Sequence, residues 1–152
     1  MRTAHAVTVA AAQPQPAASY RLRPVWLVSA VASGVALVVT ELYGLAIRLG
    51  GVPMAAAGFG QAKAGPVTAG SFAMGVLTCA LRGTALAVLI ARYATRPARV
   101  YLLTTVTLTA VSMVAPFSAA DTATSTKFAL AGGHILVAAI IIPAVTRRLA
   151  RR

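Results

Sequence analysis

Four long apolar runs dominate the chain, over residues 25–47, 70–91, 100–119 and 127–146, with short polar or Gly/Pro-containing segments between them. At 1.5 Å of rise per residue, a helix of about 20 residues covers the roughly 30 Å hydrocarbon layer of a bilayer. Apolar and polar positions do not alternate at period two, and the runs far exceed strand length, which argues against a barrel. The pattern predicts an all-α membrane protein, an antiparallel bundle of four transmembrane helices. Trp26 and Tyr101 sit near the starts of the first and third runs, as interfacial anchors do. Pro116 and Pro143 are expected to kink or end their helices.

Composition sharpens this picture. Hydrophobic residues make up 59% of the 152 and charged residues 11%, with a mean hydropathy of +0.80, outside the range of soluble domains. Fourteen bases face two acids, for a formal charge of +12. In a soluble chain such a balance suggests nucleic acid. Here the bases cluster at the ends of apolar runs with little aromatic interleaving, which favours orientation on a bilayer with anionic headgroups and no nucleic-acid partner. Arg2, Arg21, Arg23, Arg92, Arg96, Arg99, Arg147, Arg148, Arg151 and Arg152 fall on one side, against Arg48, Lys63 and Lys127 on the other. The positive-inside rule then places both termini in the cytoplasm of a multi-pass protein of the cell membrane. Residues 1–24 read as a flexible basic cytoplasmic arm, 25–147 as the four-helix domain and 148–152 as a basic tail, with 50–69 as an external connector. Cys79, the single cysteine, lies inside a run, so no intrachain disulfide can form.

Four polar residues stand out within or against the spans: Glu41, Arg82, Asp121 and His134. Counted from the outer ends, Glu41 and His134 lie about 10 Å deep and Arg82 about 18 Å deep, with Asp121 capping span three. Helical side chains lean toward their own N-terminus, so Glu41 and Arg82 lean toward each other. An isolated charge at that depth costs about 2.5–3.5 kcal/mol, and an ion pair between Glu41 and Arg82 is the expected solution. Small or polar residues form stripes expected to pack helix on helix. They are Ala30, Gly34, Glu41, Gly44 and Arg48 in span one, and Ser71, Gly75, Thr78, Cys79 and Arg82 in span two. Thr105, Thr109, Ser112 and Pro116 form one in span three, and Ala131, His134 and Ala138 in span four. A carboxylate and an imidazole at matched depth are candidates for acid–base catalysis, with Glu41, His134 and Asp121 as the catalytic set. Depth also places a cavity in the outer half, with His134 on its wall. No catalytic motif supports the chemistry, no metal site is expected and no cofactor is implied.

The R-P-A-R-V-Y start of span three, Ser112, Pro116, Ala120–Asp121, Thr124, Leu130, His134, Ala138–Ala139 and Pro143 carry a resemblance, with L-Y-G-L-A-I-R-L-G-G-V-P closing span one. On these residues the chain resembles a family of small, uncharacterised four-helix membrane proteins of GC-rich bacteria, known only as a domain of unknown function. The resemblance implies an integral membrane protein and assigns no activity. Three readings of function stand. The first is a membrane protein that binds a lipid, an apolar small molecule or a partner helix. The second is an intramembrane acid–base isomerase or cyclase of a lipid-like substrate. The third is a small proton-coupled exporter. The first is favoured, with the bilayer itself and a homo-oligomer among the partners.

Overall fold

A computed structural model describes residues 24–58 and 60–151. The expected arm, apart from Pro24, lies outside the described residues, as does the last residue of the tail. Four helical segments are long and apolar enough to cross a membrane.

The first helix, α1 (Val25–Leu49), follows Pro24, whose carbonyl accepts the amides of Leu27 and Val28 at 3.0 and 3.3 Å. Proline suits this place because a helix start needs no amide from it. The buried positions of α1 are Val25, Ser29, Ala32, Ser33, Ala36, Thr40 and Gly44. They recur every three or four residues, the spacing of one helix face. This corrects the stripe expected from sequence: Ala30 and Gly34 are exposed, and a Cβ on Gly34 would meet nothing within 4 Å. In the first half of α1 the packing seam lies one residue before the expected stripe, on Ser29 and Ser33, and only Gly44 is common to both.

A two-stranded antiparallel ribbon fills the next connection, β1 (Ala55–Ala56) pairing with β2 (Gly65–Pro66). It leads through Gly70, left-handed at φ +87°, into α2 (Ser71–Tyr93). Three residues later α3 (Pro97–Ser112) begins, with proline in its first turn. A break at Met113 separates it from α4 (Val114–Ser118). Pro116 accounts for that break, since its ring collides with the carbonyl four residues back, on Ser112, and has no amide to offer it. Pro143, by contrast, sits inside α5 (Thr124–Ala150) without ending it.

Helix α1 packs against both α2 and α5, and α3 packs against α5, while α2 and α3 touch sparingly despite being neighbours in sequence. Where the chain passes from α2 to α3, the core cluster of Val25, Ala87, Ile90, Tyr101, Val145 and Leu149 closes the molecule. Burial of Tyr101, at 1% exposure, makes it a central core residue and not the interfacial anchor expected from sequence. Away from that cluster α2 and α3 diverge, and the space between them becomes the cavity described next.

Candidate site between three helices

A three-way joint sets the upper wall. Phe72, in the first turn of α2, is wedged between two glycines: a Cβ on Gly44 would lie 2.8 Å from its ring, and one on Gly133 would lie 3.0 Å from it. Tyr43 meets the same ring edge to face, with centroids 6.3 Å apart, and its hydroxyl donates to the carbonyl of Ala129 at 3.0 Å. A side chain on Gly132 would collide with that hydroxyl. The Gly132–Gly133 pair therefore exists so that two aromatic residues can lie against the α5 backbone, a close approach that only glycine permits. His134 follows directly.

Glu41 secures the joint. Its Oε1 accepts the amide of Ala73 at 2.6 Å and its Oε2 that of Gly70 at 3.3 Å. These are two of the amides left without partners at the start of α2, and a carboxylate there also faces the positive end of the helix dipole. The carboxylate thus does the work of a capping box, supplied from a neighbouring helix. This corrects the expected ion pair: Glu41 is committed to the first turn of α2, and among the described residues Arg82 takes part in no ion pair or hydrogen bond. The physical reason is axial level. Because Phe72 meets Gly44 and Gly133, α2 starts beside Glu41, and Arg82 lies ten residues farther on, about 15 Å away along the helix.

Below the joint lies a cavity of about 490 Å3 between α2, α3 and α5, with Thr40 of α1 behind it. Gly75 and Gly83 of α2 border it, and a Cβ on either would meet nothing within 4 Å. Small residues expected to seal helices together here leave room instead. Most of the wall is apolar, including Leu86, Leu108, Val137 and Ile141. Its polar groups are Arg82, His134, Ser71, Cys79 and the hydroxyls of Thr40, Thr105, Thr109 and Ser112. Thr40 donates to Ala36, Thr105 to Tyr101, Thr109 to Thr105 and Ser112 to Thr109, at 2.6 to 2.8 Å. With their hydrogens turned back to their own helices, these hydroxyls offer the cavity only lone pairs. The His134 Nδ1 lies 2.9 Å from the carbonyl of Leu130. A carbonyl can only accept, so the proton sits on Nδ1, and in the neutral ring Nε2 is an acceptor.

Asp121 stands apart. It lies in the turn between α4 and α5 at φ +46°, exposed, and accepts the amide of Ala64 at 3.3 Å. Thr122 accepts the amide of Ala57 at 3.0 Å, Thr126 donates to the carbonyl of Pro53, and Arg48 donates to that of Val67 at 2.8 Å. The ribbon segment is therefore stitched down across the ends of α1 and α5. Of the four residues Glu41, Arg82, Asp121 and His134, Arg82 and His134 line the cavity, while Glu41 and Asp121 hold backbone amides outside it. Sequence reasoning missed Phe72 and Tyr43, although the Gly132–Gly133 pair signalled that something bulky must lie against α5.

Residues 20–151 match a family of unknown function (DUF6069), and the chain belongs to that family. No curated protein and no solved structure matches it.

Proposed function

For a member of a family with no assigned activity, we propose that this chain is an antiparallel four-helix bundle of the cell membrane that binds a lipid-like, largely apolar small molecule in the cavity between α2, α3 and α5. The observation that carries the reading is that cavity: about 490 Å3, mostly apolar, with a few polar groups, bordered by glycines that leave it open. Sites for small ligands have this size and this lining. The exposed surface supports the membrane part. Val31, Val35, Val38, Leu42 and Leu45 run along the outward side of α1 at 51–60% exposure, an apolar stripe that water would disfavour and lipid accepts. The clustering of arginines near the helix ends supports termini on the cytoplasmic side and the ribbon outside. Glu41 and Asp121 are occupied with backbone amides away from the cavity, so His134 is the only member of the expected acid–base set on its wall. This favours binding over catalysis.

The test is to fill the cavity. Gly75→Trp and Gly83→Leu start new side chains where a Cβ meets nothing within 4 Å, so both variants are expected to fold. Purified wild-type protein in neutral detergent is expected to bind a pyrene-labelled fatty-acid methyl ester saturably. Both variants should keep the wild-type melting transition and lose about tenfold or more in affinity. Unchanged affinity in both variants would remove the cavity as the binding site.

A further inference from the structure

Charge balance within the cavity leads one step further, resting on the binding reading above. The chain has two acidic side chains, Glu41 and Asp121. Glu41 is held by the amides of Gly70 and Ala73, and Asp121 by that of Ala64. Neither lines the cavity, whereas Arg82 does, with no ion-pair or hydrogen-bond partner among the described residues. No acidic side chain remains to neutralise it. In an apolar span a guanidinium faces either a counter-ion or water, and an anion must come from outside the chain.

We propose that the ligand is an amphiphile, one apolar chain carrying an oxyanion head, and that Arg82 binds the head. The guanidinium presents a planar fork of donors that matches a carboxylate or phosphate in two-point contact. It is also the main donor of the cavity, because the hydroxyls of Thr40, Thr105, Thr109 and Ser112 have turned their hydrogens away. An oxyanion placed against those four hydroxyls would face lone pairs. The tail has a place as well. Along α2 the cavity is lined from Ser71 to Leu86, about 22 Å of helix, with Val76, Leu108, Leu130, Val137 and Ile141 along the way. A small anion would leave that apolar length unused.

The experiment compares a pyrene-labelled fatty acid with its methyl ester on the full-length protein in neutral detergent, at a pH where the acid is ionised. The acid is expected to bind the wild type about tenfold more tightly than the ester. Arg82→Gln should lower the acid to the affinity of the ester, leave the ester unchanged, and so report its own folding. Arg82→Lys should keep part of the preference. Unlabelled oleate and lysophosphatidylglycerol, as competitors, separate a carboxylate head from a lipid phosphate, and either displacing the acid supports the assignment. Acetate and inorganic phosphate should not compete. Equal binding of acid and ester to the wild type overturns the oxyanion assignment while leaving the apolar-ligand reading in place. Survival of the acid preference in Arg82→Gln, or displacement by acetate as effective as by oleate, overturns it as well. Binding of neither probe removes both readings together. Should Arg82→Gln lose its melting transition, the wild-type comparison and Arg82→Lys decide alone, and absence of an acid preference there sinks the proposal.

Discussion

Glu41 shows how a single carboxylate can look catalytic in sequence and prove to be architectural. An acid in an apolar helix must find compensation, and an arginine in the next span is the obvious candidate. Backbone amides are an equal solution, because the first turn of any helix leaves several donors unused. Two of them, from Gly70 and Ala73, reach Glu41 first. Glu41→Ala should therefore destabilise the protein by about 1–2 kcal/mol, the worth of a lost helix cap. Glu41→Gln, which keeps one acceptor, should cost less. In a double-mutant cycle with Arg82→Leu, measured by denaturation in detergent, the two losses should add to within about 0.5 kcal/mol, as for side chains without mutual contact. Strong coupling between them would revive the ion pair. Arg82→Leu alone is expected to change stability little, since it breaks no hydrogen bond or ion pair with a described residue.

At the level of the helices, the joint of α1, α2 and α5 is built on contrast between glycine and aromatic residues. Gly44 and Gly133 flank Phe72 on two different helices, so α2 is held at a fixed level by one ring. Gly44→Ala should cost about 1–3 kcal/mol, the usual penalty for overfilling a packed site. Adding Phe72→Leu should return part of that loss. Gly34→Ala is the internal control: its Cβ points into open space, and alanine is the better helix former by about 0.8–1.0 kcal/mol. A thermal scan of the four proteins checks the ranking, and equal losses at Gly34 and Gly44 would contradict this joint. The same logic explains the break before α4. Pro116 and Ser112 are four apart in an otherwise regular helix, whereas Pro143 lies within α5 without interrupting it.

For the molecule as a whole, the pairing of the connections supports the proposed membrane topology. The ribbon and the α4–α5 turn are joined through Ala57 with Thr122 and Ala64 with Asp121, so they lie at one end of the helices. The core cluster of Val25, Ile90, Tyr101 and Leu149 gathers the other ends. In a Cys79→Ala background, single cysteines at Gln61 and Ser125 should react in intact cells with a membrane-impermeant maleimide. Cysteines at Thr95 should react only after lysis. Protection of Gln61 in intact cells would sink the four-span topology.

How much of this could be read from the residues alone follows from the range of the forces involved. Four helices long and apolar enough to span a bilayer depend only on local composition and length, so the runs at 25–47, 70–91, 100–119 and 127–146 announced them. The break near Pro116 was equally local, a clash four residues long. His134 on a cavity wall followed from its place in a helix. The partner of Glu41 did not, because sequence counts depth along each helix separately and carries no sign of how one helix slides against the next. That slide is decided by Phe72 fitting between Gly44 and Gly133, a contact among residues distant in sequence. The same holds for the small residues of α2. Glycine at 75 and 83 could equally seal a helix pair or leave a void. Only the divergence of α2 from α3 decided for the void, and so left Arg82 facing it without an acid.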